Sequence, residues 1–227
     1  MTVSVSIQDI GGVPPDLHAF GVASGYLGAA LGVGMVVPQI VRTLHNRRLA
    51  GVSPLSWSLT ALACFTWLLY GVRTGEVPQI PGNVLIVGGA AAIVLLVPSR
   101  LAARARALRL VTAAVPSVAA AVWAPATVVG LLAFGIGLTS ALPQLRTSLR
   151  RPAGVPSAVS TSAWLMRCGS QSAWLCYALV LHDLTVTISA TFTLAGAILI
   201  LAVESRRSAA VPVQLRSTEA LACPAGR

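Results

Sequence analysis

Lysine is absent from the 227 residues, so all 16 basic side chains are arginine. A light receptor that holds retinal through a lysine Schiff base is thereby excluded. Acid is scarce too: six carboxylates leave a net charge of +10, and only 10% of the residues are charged. The four cysteines, Cys64, Cys168, Cys176 and Cys223, form no CxxC pair and three fall in apolar runs. They read as small buried residues, not as a disulfide framework or a metal site. No carboxylate pair, metal-ligand cluster or nucleophile beside a base interrupts those runs, so neither an enzyme nor a cofactor is expected. A nucleic-acid partner is not expected either.

What the chain has in excess is apolar length. Hydrophobic residues make up 56% of it and the mean hydropathy is +0.80, beyond ordinary soluble domains. Four stretches, His18 to Arg42, Arg48 to Arg73, Glu76 to Arg100 and Asp183 to Glu204, each enclose the roughly 20 residues that cross a bilayer. The region before Asp16 shows no basic residue and no cleavable apolar run, so the first span is expected to be retained. Arginine without lysine, together with abundant alanine, suggests a GC-rich bacterial genome and hence the inner (cell) membrane.

Arginine also sets the topology. Clusters at Arg42, Arg47 and Arg48, at Arg100, Arg104, Arg106 and Arg109, at Arg146, Arg150 and Arg151, and in the tail with Arg206, Arg207, Arg216 and Arg227 mark cytoplasmic loops. Asp9, Asp16, Glu76 and Asp183 fall between them, which puts the N-terminus outside. One span precedes the first cluster; two, Pro54 to Val72 and Pro81 to Pro98, separate it from the second. The stretch from Arg109 to Arg146 must hold an even number, and Ala124-Pro125-Ala126 offers the turn between two helices. Trp164 to Leu181 runs outward and Leu184 to Val203 returns. The expected fold is all-α integral membrane, seven transmembrane helices with the C-terminus cytoplasmic. The segment from Glu204 to Arg227 reads as a mobile tail.

A repeat lies within these spans. "VVPQIVRTLHNRRLAGVS" in the first half is matched by "ALPQLRTSLRRPAGVPS" in the second. Downstream, Trp57 and Trp67-Leu68-Leu69-Tyr70 correspond to Trp164 and Trp174-Leu175-Cys176-Tyr177, with the same Trp-to-Trp spacing. The chain therefore divides into a first three-helix repeat (19–98), a linker helix (104–124), a second repeat (126–203) and the tail (204–227). An odd linker leaves the two three-helix bundles parallel, a 3+1+3 arrangement. Pro38 removes a helix hydrogen bond and crowds the Gly34 carbonyl, and Pro143 does the same at Thr139. With Gln39 and Gln144 beside them, the two Pro-Gln pairs read as hinges anchored by arginine, against the plainer reading that they end a helix. A third pair, Pro78-Gln79, falls off the repeat in an outer loop and reads as coincidence. Gly21, Gly25, Gly28 and Gly32, and Gly130, Gly135 and Gly137, are placed for close helix packing.

On these motifs the chain resembles the PQ-loop superfamily, and within it the SWEET and SemiSWEET transporters, over about residues 19–203. The resemblance implies transport of a small polar solute, foremost a sugar, by facilitated diffusion and alternating access. Trp67 and Asn83 resemble the pair that contacts sugar in that family: an indole face covers C–H groups, and an amide both donates and accepts. Their rival roles are an interfacial tryptophan and a helix cap. Trp174 aligns with Trp67, but the same step from it lands on Ala190, so the second pocket amide is missing; Ser189, Thr191 and Thr193 are the nearby hydroxyls. Trp164, Arg167, Gln171 and Trp174 share one helical face. An arginine inside a span needs a partner. Arg167 either holds the anionic group of an amino acid or organic acid, or bonds backbone carbonyls and snorkels. The alternatives are thus a carboxylate transporter, or a membrane receptor that binds solute without releasing it. No ionisable proton relay lies in the spans, so uniport is expected. The partners implied are the solute and the bilayer; two repeats suffice as a monomer, and a homo-oligomer stays open.

Overall fold

The computed structural model describes residues 13–46, 54–96, 101–150 and 161–222. They form seven helices: α1 (Pro15–Asn46), α2 (Pro54–Thr74), α3 (Gln79–Leu96), α4 (Ala103–Trp123), α5 (Ala126–Arg150), α6 (Thr161–Val180) and α7 (Leu184–Ala222). No strand occurs among the described residues. Five helices, α1 to α4 and α7, are long and apolar enough to cross a membrane, and α5 carries a shorter apolar stretch, Ala126–Thr139. α6 has 20 residues, the length of a span, but Arg167, Ser170 and Gln171 dilute its hydropathy.

The core is built of small residues and the outside of large ones. Ala61, Ala63, Ala90, Ala133, Ala173, Ala178, Ala190 and Ala197 are buried, whereas Phe20, Leu85, Leu108, Val111, Leu165, Leu179, Phe192 and Ile198 are exposed. This is the pattern of helices that pack closely on each other and meet lipid with their bulky faces.

Within the first repeat α3 packs against both α1 and α2, which share no contact among the described residues; in the second, α7 likewise packs against α5 and α6. The repeats meet through α1 on α6 and α2 on α5, a pseudo-twofold exchange. Close approach at the first of these interfaces needs glycine. A Cβ at Gly25 would lie 2.7 Å from the Tyr177 ring, and one at Gly28 would lie 3.0 Å from the Trp174 indole. Gly130 of α5 faces Tyr70 and Thr185 in the same way, whereas Gly135 meets nothing within 4 Å. The Ser170 hydroxyl completes the α1–α6 seam by donating to the Gly28 carbonyl at 2.7 Å.

The linker α4 sides with the first repeat. Its Ser117 shares a buried hydrogen bond of 2.8 Å with Thr66 of α2, Arg73 of α2 donates to the Ala120 and Ala121 carbonyls near its end, and its Arg106 donates to the Leu95 carbonyl of α3. Arginines here add donors to carbonyls in the last turns of α3 and α4.

Three expectations need correction. Pro78-Gln79 is not a loop bystander: the Gln79 amide donates to the Glu76 carbonyl at 3.0 Å and opens α3. Pro81 then sits in the first turn, where a missing N–H costs nothing. Asn83 accordingly lies one turn inside α3 and is no cap. Beyond residue 203, α7 continues as helix to Ala222, so this part of the expected tail is helical rather than irregular; its alanine and leucine favour that state.

Candidate functional site

The small residues at the repeat interface leave a cavity of about 290 Å³, at the small end for small-molecule sites. Trp67, Asn83, Arg167, Gln171 and Trp174 all line it, as does Trp164. The indoles are held edge-on by tyrosines one turn away: Trp67 on Tyr70 at 5.4 Å and 85°, and Trp174 on Tyr177 at 5.4 Å and 89°. These near-identical pairs occupy equivalent places in the two repeats, and they argue against Trp67 as a tryptophan of the lipid interface.

Arg167 of α6 points into the same space, with its Cζ 5.7 Å from the centroid of the Trp164 ring. A guanidinium over an indole face is a favourable cation–π contact. None of the carboxylates whose side chains are described, Asp16, Glu76 or Asp183, pairs with it. The neighbouring Gln171 and the repeat-one counterparts Thr60 and Cys64 add only neutral groups to the lining.

Asn83 uses one amide hydrogen on its own helix, donating from Nδ2 to the Gln79 carbonyl at 2.7 Å. Its Oδ1 and second hydrogen remain for other partners. Across the cavity Ala190 is buried at the position where a second asparagine was sought. Of the hydroxyls that might replace it, Ser189 and Thr193 line the cavity, while Thr191 is exposed and donates back to the Thr187 carbonyl at 2.8 Å. Gln79, whose pairing with Pro78 reads as coincidence in the sequence, also lines the cavity, 3% exposed, with its Nε2 buried and without a hydrogen-bond partner.

At the end of the bundle where α2 turns into α3 and α6 into α7, the repeats are tied together. The Tyr70 hydroxyl donates to Asp183 Oδ2 at 2.8 Å, and Asp183 Oδ1 accepts from the Val186 amide at 2.9 Å, capping α7. His182 precedes it in a left-handed conformation (φ 56°), where the equivalent turn of the first repeat has Gly75 (φ 76°).

The side chains of Pro38, Gln39, Pro143 and Gln144 lie outside the described residues, but the backbone bears on them. α1 runs on from Pro38 to Asn46 and α5 from Pro143 to Arg150. Neither Pro-Gln pair ends its helix, which removes the plainer of the two readings.

The model of the PQ loop repeat family matches residues 20–80. No curated protein matches the sequence. Among solved structures, that of a eukaryotic SWEET transporter is similar: TM-score 0.63 at 15% identity, over 83% of this chain and 99% of that one. The chain thus carries a match to the PQ loop repeat over residues 20–80 and shares the seven-helix fold of that SWEET transporter.

Proposed function

We propose that the protein is a membrane transporter that moves a small polar solute, a sugar foremost, by facilitated diffusion. The observation that carries this reading is the cavity between the two repeats, walled by Trp67, Trp174 and Asn83. Indole faces suit the C–H surface of a sugar ring, and the spare capacity of the Asn83 amide suits its hydroxyls. The Tyr70 to Asp183 hydrogen bond ties the repeats at one end, a contact that breaks when the repeats rock apart. Pro38 and Pro143, inside continuous helices, supply the bending points such rocking needs. Glu76 and Asp183 sit in turns, and no carboxylate falls within a span to relay protons.

The test is counterflow of labelled glucose and sucrose, beside a neutral amino acid, in proteoliposomes. Sugar counterflow that Trp67→Ala with Asn83→Ala reduces at least about a hundredfold is the expected result. Binding without flux would make the protein a receptor.

A second reading is favoured by Arg167. A guanidinium that lines a cavity without a carboxylate partner among the described residues is suited to an anionic group on the solute, as in an amino acid or organic acid.

A further inference from the structure

The cavity is two-sided in shape, but the α3 and α7 stripes that line it differ in chemistry. The offset that aligns Trp67 with Trp174 aligns the α3 face Gln79, Gly82, Asn83 and Ile86 with the α7 face Val186, Ser189, Ala190 and Thr193. All eight residues line the cavity, and the positions recur at i, i+3, i+4 and i+7, one stripe of a helix. Along these stripes both amides belong to the first repeat, and their counterparts Val186 and Ala190 are apolar and buried; the second repeat's amide in the lining is Gln171, on α6.

Gln79 is the anomaly within this stripe. A buried amide nitrogen without an acceptor costs about 1–3 kcal/mol, and a leucine of similar volume would avoid that cost. Gly71 makes room for it, since a Cβ there would lie 2.9 Å from Gln79 Cβ. Asn83 does not relieve it: the Asn83 Nδ2 donates to the Gln79 backbone carbonyl, and the Gln79 Nε2 stays without a hydrogen-bond partner.

We propose that Gln79 is a solute-binding residue: its Nε2 donates to a hydroxyl oxygen of the transported polyol, and with Asn83 one turn along α3 it forms a two-amide wall. This wall replaces the pocket amide absent at Ala190, so the solute is held against the first repeat and not on the pseudo-twofold axis. The proposal rests on the transport reading, and its test separates the two.

Thermal melting of the purified protein, with and without glucose, is measured for wild type and Gln79→Leu, alongside glucose counterflow. The variant is expected to melt no lower than wild type without sugar, because it removes an unpaired buried donor. Its apparent glucose affinity, from the sugar-dependent shift in Tm, is expected to fall about tenfold. Among monodeoxyglucoses, one member is expected to lose as much affinity in wild type and to be indifferent to the substitution. A variant that melts well below wild type would show the amide to be structural and overturn the proposal. So would an unchanged glucose shift, an equal loss for every deoxy sugar, or no sugar-dependent shift in wild type. A wild-type shift that Gln79→Leu weakens, without counterflow, would sink the transport reading and leave Gln79 in place.

Discussion

Arg167 is the side chain whose surroundings explain it least. A charged residue in the middle of a span costs at least about 2.5–3.5 kcal/mol on insertion scales, and a neutral indole returns only part of that. If Arg167 holds an anionic solute, Arg167→Gln should reduce amino-acid counterflow by about two orders of magnitude and leave sugar counterflow within a few-fold of wild type. If it only neutralises helix carbonyls, both fluxes should fall together as the protein loses stability, visible as a lower Tm. At this scale the sequence was a good guide to the lining, since Trp67, Asn83, Trp174, Arg167 and Gln171 all meet at one cavity. Gln79 escaped notice for a physical reason. Its α7 counterpart is Val186, so the repeat that exposed the tryptophans gave no second copy of the amide to compare.

At the scale of the helix, glycine contacts separate packing from mere permissiveness. Gly25 is pressed between Tyr177 and Pro78, whereas Gly135 has open space around its Cα. Gly25→Ala should therefore destabilise the α1–α6 seam by about 1–3 kcal/mol, and Gly135→Ala should be neutral or stabilising by up to about 1 kcal/mol. Melting in detergent distinguishes them, and equal effects would mean that the seam can shift to admit a methyl group. The number of helices was legible because charge clusters and turn residues are separated by bilayer-length runs. Helix ends were not, since α3 starts at Gln79 through backbone bonds of the Glu76 turn, which leave no mark in hydropathy. The glycine stripe was legible as spacing, but spacing does not tell that Gly25 and Gly28 meet aromatic rings while Gly135 meets none.

For the whole molecule, the turn end carries a charge balance that depends on pH. Glu76 and Asp183 occupy equivalent turns of the two repeats, and Asp183 accepts the Tyr70 bond that ties the repeats together. Burial first, and then the Asp183 charge, raise the Glu76 carboxyl from 4.5 to about 7. The described conformation thus holds a proton that a well-solvated glutamate would release. It carries no penalty below about 4.5, and loses stability as pH climbs to about 7, where ionised Glu76 repels Asp183. Counterflow should vary across that interval as separation of the two turns becomes easier, and Glu76→Gln should flatten the profile; a variant with the wild-type profile would assign the dependence to another group.

The attachment of α4 gives the two repeats unequal mechanical roles. Bonded to α2 through Thr66 and Arg73 and to α3 through Arg106, the linker would make the first repeat a four-helix stator if the repeats rock as proposed. The second repeat, three helices joined to it through the α1–α6 and α2–α5 seams and a smaller α4–α5 contact, would then be the rotor. In that motion the larger body would carry Gln79 and Asn83, and the lighter one, with Arg167 and Gln171, would swing past them.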